Sequence, residues 1–359
     1  MFRVSLFGES HGKLVGVLIE GCPPGIPISE DYIQKELDKR KPGLSLYVSQ
    51  RKEEDKVDIL SGIFNGYTTG APIVMVVWNK DVNSSAYEKL RYTPRPGHAD
   101  YVSYIKYKGF NDYRGGGIFS GRLTAGLVMA GAIAKKLLAI YNIEVYSYVT
   151  SIGPIESPQV TLNEIKENVY KSPVRCPHIE TSNKIEEYIK SIMKEGDSVG
   201  GIVETIVLNV PIGLGEPPID TLDGDISKAM FVIPAIKGIE FGAGFKLARM
   251  KGSEANDIFV IRDNNIYTLT NNAGGINGGI SNGMPIIFRV VVKPTPSIRK
   301  RQKTVNILKM EETEIIIEGR HDPCIVIRAV PVIESVTAIV VADHLLRWLS
   351  WNGLMNSKK

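Results

Sequence analysis

The chain has 359 residues, 43% hydrophobic and 23% charged, with a formal net charge of +4. This is the balance of a globular protein with an ample core. Acid and base are interleaved with no long basic run, which argues against a dedicated nucleic-acid binder. The three cysteines (Cys22, Cys176, Cys324) are odd in number, widely spaced and without a CxxC pair, so reduced, buried thiols are expected. No uninterrupted apolar run approaches the ~18–20 residues of a membrane span, and the first residues enter FRVSLFGESHG directly, without a leader. The expectation is a cytoplasmic protein that contacts no membrane.

The chain opens as strand, loop and strand: FRVSLF, GESHGK and LVGVLIEG. A helix is expected over 29–40, with Ser29 as N-cap, acids in its first turn and basic residues at its end. VDILSGIF and PIVMVVWN then form a strand pair joined through NGYTTGA.

The stretch 95–122, RPGHADYVSYIKYKGFNDYRGGGIFSGR, organises the chain. Pro96-Gly97 sets His98 on a tight turn, and the run Gly115, Gly116, Gly117 leads to Ser120, an N-cap. The helix over 123–141, expected to be the longest, is rich in Ala and Gly and should pack closely on most sides. Unpaired first-turn N–H groups and a positive helix end, with Arg95, Arg114, Arg122 and His98 close by in sequence, read as a site for a small anionic ligand; the alternative is a buried Gly hairpin leading into a core helix.

Further on come a strand over 143–150, polar helices over 162–170 and 183–194, and a long strand in GDSVGGIVETIVLNVPIG. Gly-rich loops separate the remaining strands, and an amphipathic helix over 332–351 closes the chain. Strands and helices alternate without a βαβ rhythm, so the expected fold class is α+β in one domain, 1–359.

Three histidines sit in Gly-flanked polar loops: His11 in GESHG, His98 in RPGHAD and His321 in GRHDP. Such positions suit proton transfer near neutrality. His178 and His344 read as structural. Zinc fits poorly, because no HxxxH or HExxH spacing occurs and the cysteines are not paired with histidines. GESHG matches the letters of a nucleophile elbow at Ser10, but a strand follows it where that motif needs a helix. There is no P-loop, and no GxGxxG opening a helix. Gly loops, arginines and two or three histidines remain, which suit a ligand with several negative charges.

FGESHG, RPGHAD, RGGG followed by S-x-R, GDSVGG, KGIEFGAGF, NNAGGINGGISNG, VKPTPSI, GRHDPC-x-x-x-RAVPV and AIVVADHLL occur in that order across almost the whole chain. Together they resemble chorismate synthase. The resemblance implies a single-domain β-α-β sandwich assembled as a homotetramer. It implies loss of phosphate and a carbon-6 proton from 5-enolpyruvylshikimate 3-phosphate in a 1,4-anti elimination, the last common step of the shikimate pathway of aromatic amino acid biosynthesis. Reduced FMN is required, without net redox change.

By the same resemblance, Ser10, Arg40, Arg95 and Arg122 bind substrate and His11 is the general acid toward phosphate. His98 keeps the flavin protonated, and Asp343 helps remove the carbon-6 proton. The implied flavin contacts are Ser120, Ala235, Gly278, Lys293, Pro294, Thr295, Pro296, Ser297 and Arg320. The chain departs from the common pattern at Leu46, where Arg51 or Lys52 could compensate, and at Ile118, Phe119, Pro234 and Pro296. Nothing in it resembles a nicotinamide (NADP) site, so an external flavin reductant is expected. A non-catalytic phosphoanion- or flavin-binding module is the alternative from another class.

Overall fold

The computed structural model describes residues 1–41, 55–80, 85–317 and 322–356. Leu46, Arg51, Lys52, Arg320 and His321 lie outside the described residues. Two antiparallel sheets enclose two long helices. The first sheet runs in the order Arg3–Gly8, Leu14–Glu20, Ile73–Trp78, Val57–Ser61. The second runs Ile236–Phe241, Ile286–Val292, Gly201–Leu208, Glu144–Ile152, Ile155–Glu156. Between them lie an inner helix, Thr124–Ala139, and a closing helix, Val326–Asn356. The fold is therefore the expected α+β sandwich with helices as its filling.

The inner helix fills that place because of its small residues. A Cβ on Gly126 would meet the Gly16 carbonyl at 3.1 Å and Val17 Cβ at 3.4 Å, both in the first sheet. A Cβ on Gly131 would meet Ser335 Cα of the closing helix at 2.6 Å. Five residues apart on a helix is a rotation of roughly 140°, so the two glycines let neighbours approach from nearly opposite sides. Each weakens the helix intrinsically by about 0.5–1 kcal/mol relative to Ala, which the close packing offsets.

Two expectations are corrected. The longest helix is the closing one, with 31 residues, and it starts at Val326 rather than 332. It also is long and apolar enough to cross a membrane over 326–353, but most of it is buried in the core. Its first half is buried on nearly all sides, rather than amphipathic, because protein surrounds it there. Pro331 lies inside it. The three cysteines are free and buried as expected, and burial pushes the thiols of Cys22 and Cys324 up to about 11 and about 12.

Both long helices begin at the same end of the sandwich. Gly121, Arg122 and Thr124 at the start of the inner helix and Arg328, Ala329 and Val332 near the start of the closing helix line one cavity. Two positive helix ends therefore face it.

Candidate active site

The cavity measures about 1370 Å³. That exceeds the ~300–1,000 Å³ usual for one small ligand, leaving room for two side by side. Its walls carry four arginines (Arg40, Arg95, Arg122, Arg328) and four lysines (Lys56, Lys80, Lys237, Lys293) against four carboxylates (Glu30, Asp55, Asp58, Asp322). His11 and His98 face it as well. An excess of cations beside two helix N-termini selects a polyanion.

His11 sits in the turn between the first two strands. Asn79 pins that turn, its side-chain amide donating to the carbonyls of Glu9, Ser10 and Gly12 at 3.2, 3.1 and 2.9 Å. Arg122 Nε in turn donates to Asn79 Oδ1 at 3.0 Å, so one chain of bonds links the histidine loop to the inner helix. The His11 ring meets Tyr87 edge-on, with centroids 5.0 Å apart. The glycine run lies against both imidazoles. Gly115, Gly116 and Gly117 all have positive φ (59°, 84°, 52°). A Cβ on Gly115 would strike the His11 ring and lie 2.7 Å from Ser10 Oγ, and one on Gly116 would come within 3.3 Å of His98 Cε1. The run therefore combines a left-handed path with contact that no side chain permits. Ser120 caps the helix start as expected, accepting from Arg122 N at 3.3 Å and donating to Ser10 Oγ at 3.2 Å.

The arginines are held by carboxylates and carbonyls. Arg40, 1% exposed, donates from Nε to Thr124 Oγ1 at 2.9 Å and from Nη1 to Asp55 Oδ2 at 2.8 Å. Arg122 also pairs with Asp55, through Oδ1. Burial alone would raise the Asp55 carboxyl, but the charges of Arg40 and Arg122 hold it below its usual range. Arg95 makes a two-point pair with Asp100 (Nε to Oδ2 2.7 Å, Nη2 to Oδ1 2.8 Å) and donates to Ser297 Oγ at 3.2 Å. Arg328 Nη1 pairs with Asp322 Oδ2 at 2.8 Å, and its Nε donates to the Arg40 carbonyl at 3.2 Å.

Part of the cavity wall is apolar. Ile118, Phe119, Phe231 and Val232 line the cavity yet stay exposed, a surface on which a flat ring system can lie. Beside it Lys293 Nζ donates to the Gly97 carbonyl at 2.5 Å, and Lys293 N donates to the carbonyl of Ala235 at 2.9 Å. This wall fits a flavin, with apolar faces for its rings and a lysine beside them for negative charge. The departures at Ile118 and Phe119 fall on that wall and make it greasier.

Of the residues singled out from sequence, Ser10, His11, Arg40, Arg95, His98, Ser120, Arg122, Ala235, Lys293, Thr295, Pro296 and Ser297 line this one cavity. Arg320 is outside the described residues. Pro294 and Gly278 are not among the lining residues, and Gly278 lies in the small hairpin Ile276–Asn277/Ile280–Ser281. Asp343 also lies elsewhere. Its carboxylate accepts from Phe2 N at 2.6 Å and pairs with Arg347 at 2.7 Å. At about 1.5 Å per residue it sits roughly 16 Å along the closing helix from Val332, the last residue of that helix on the cavity wall. Sequence reasoning missed Asp55, Asp100, Asp322 and Arg328. The last three stand inside motifs already noted, whereas Asp55 gives no local signal.

Comparison with known proteins identifies the family. A family profile described as chorismate synthase matches residues 2–346. Curated chorismate synthases from Dehalococcoides mccartyi and Korarchaeum cryptofilum are each 54% identical, covering 97% and 96% of this chain and 95% and 96% of their own lengths. The one from Methanosarcina acetivorans is 54% identical over 100% of this chain and 97% of its own. A crystal structure of chorismate synthase superposes with a TM-score of 0.75 at 33% identity, covering 96% of this chain and 91% of that one.

Proposed function

The chain belongs to the chorismate synthase family of lyases, and from that premise we propose that it converts 5-enolpyruvylshikimate 3-phosphate to chorismate with reduced FMN. The observation that carries the reading is one cavity, too large for a single small ligand, whose wall carries four arginines, both histidines, Lys293 and a set of exposed apolar side chains. Two carboxylates and a phosphate need a surplus of positive charge, which the arginines and lysines of the wall together supply over its carboxylates, with the arginines held in place before substrate arrives. Arg40, Arg95, Arg122 and Arg328 orient the substrate, and His11, next to Ser10, gives a proton to the departing phosphate. His98 holds a proton on the cofactor side.

Asp322, on the cavity wall against Arg328, is the better-placed carboxylate for removal of the carbon-6 proton than Asp343. Reduced FMN, when bound, supplies the electron-rich centre that the elimination needs. Ser120, Ala235, Lys293, Thr295, Pro296 and Ser297 would hold it, with Phe119 and Phe231 along its rings. No net oxidation occurs in this reaction, so the flavin's reducing electrons come from an external reductant.

Further parts of the reading are a homotetramer and a cytoplasmic location. Exposed Phe245, Phe259, Ile261 and Ile266 on and near a projecting hairpin are the kind of surface that a second copy covers, and light scattering tests the tetramer. The test of function is anaerobic turnover of 5-enolpyruvylshikimate 3-phosphate with dithionite-reduced FMN, following phosphate and chorismate together. Equal release of both, absent with oxidised FMN, is expected. Flavin binding without release would make the chain a binding module instead. Flavin reduction by NADPH in the purified protein would remove the need for an external reductant.

A further inference from the structure

Behind His98, away from the large cavity, Asp100 opens a short helix, Asp100–Lys106. Its Oδ1 lies 2.6 Å from His98 Nδ1 and its carboxylate takes both Arg95 contacts described above. Arg95 Nη2 also lies 3.1 Å from the same His98 Nδ1. The ring nitrogen thus faces one acceptor and one donor, and only one of them can be its partner in the ring plane. A bare Nδ1 would set its lone pair against a carboxylate oxygen at 2.6 Å. A protonated Nδ1 donates to that oxygen, while Arg95 Nη2 is satisfied at 2.8 Å by the same carboxylate. The geometry therefore decides the tautomer.

We propose that Asp100 is a positioning residue that fixes the His98 tautomer and the pose of Arg95 together, leaving His98 Nε2 to face the cavity. The proposal rests on the function proposed above for what Nε2 then does, but the tautomer itself does not depend on it. Burial alone would raise the Asp100 carboxyl, yet hydrogen bonds from Arg95 and His98 hold it well below the usual carboxylate range. The charged groups around the ring are Arg95, Asp100 and Lys293, the last through its bond to the Gly97 carbonyl. A side chain at Gly116 would press on the Cε1–Nε2 edge, so the glycine keeps that edge clear. One carboxylate couples an anion-binding guanidinium to a proton-carrying imidazole, and neither can shift without the other.

The test is nitrogen NMR of the full chain labelled in its five histidines, with the His98 signals assigned by their loss in His98→Gln and read at a pH that leaves the ring neutral. Wild type is expected to carry the proton on Nδ1. In Asp100→Ala, which removes the acceptor, the released Arg95 guanidinium donates to Nδ1 and the proton moves to Nε2. Turnover is expected to fall by roughly 10²–10⁴-fold, the range for losing a positioned acid or base. A wild-type ring protonated on Nε2, or a proton position unchanged in Asp100→Ala, overturns the proposal. The wild-type spectrum decides even if the variant does not fold. A tautomer that moves while turnover stays at wild-type level leaves the proposal standing and removes the role proposed for His98.

Discussion

Asp55→Asn keeps the shape between Arg40 and Arg122 and removes the charge. Arg40 is 1% exposed and Asp55 3%, and both guanidiniums bond the carboxylate. An arginine cannot shed its proton to escape burial. Taking one member from a buried pair costs about 3–5 kcal/mol, a large part of a total stability of about 5–15 kcal/mol. At 1.36 kcal/mol per decade, the middle of that range is roughly a thousandfold in the folded-to-unfolded ratio. Urea denaturation in phosphate-free buffer measures it.

Asp55 is also an internal counterion in a site that gathers cations for an anion. The variant has one more net positive charge there, so phosphate protects it more than it protects wild type. Saturation at a hundredfold excess over Kd is worth about 2.7 kcal/mol. The pH dependence has a definite sign. The Asp55 carboxyl is depressed in the fold, so its contribution is complete above the unfolded value of about 3.9 and fades as pH falls through the folded value. The gap between wild type and variant therefore narrows in acid. Coincident urea curves at pH 7, or equal protection by phosphate, would refute the buried-counterion argument.

His11→Ala and His98→Ala should each lower kcat by roughly 10²–10⁴-fold with unchanged circular dichroism; full activity in both variants would end the role assignment. Gly115→Ala forces a side chain onto a left-handed backbone, at roughly 1–2 kcal/mol, and against His11 and Ser10. Activity should drop more than stability does, and an equally active variant would show that His11 need not keep this pose. Lys135→Met removes the cation that pairs with both Glu36 and Glu334 in the core. A loss of about 3–5 kcal/mol is expected in chemical denaturation at pH 7. That loss should shrink in acid, because the depressed Glu36 carboxyl contributes fully only above its unfolded value.

The parts legible in the sequence are those whose geometry is decided within a few residues. The Arg95–His98 turn is closed by His98 N donating to the Arg95 carbonyl at 3.1 Å, and Gly97 sits at φ 73°. Ser29 caps the first helix through Tyr32 N at 3.2 Å, and the glycine run reads correctly because only glycine takes that path. Asp55 was not legible, because its partners lie 15 and 67 residues away and meet only when the strand Val57–Ser61 docks in the first sheet.

Which of two aspartates faces the cavity turns on one helix boundary. Asp322 and Asp343 both neighbour a histidine and both stand in motifs, so letters alone do not rank them. A closing helix over 332–351 starts just past Pro331 and leaves Arg328 outside it. In the fold the helix begins at Val326 and accommodates the proline, while the Ser335 hydroxyl donates to the Pro331 carbonyl at 2.7 Å. That earlier start brings Arg328 and Ala329 onto the cavity wall and leaves Asp322 just ahead of the helix, facing the same cavity. Asp343 is thereby carried into the far half, where it bonds the Phe2 amide instead. A helix buried on most sides tolerates a proline that a solvent-facing one would not, because packing against the second sheet and the inner helix offsets the cost of the missing backbone bond. That packing is a long-range property, and it decides which of the two aspartates lines the cavity.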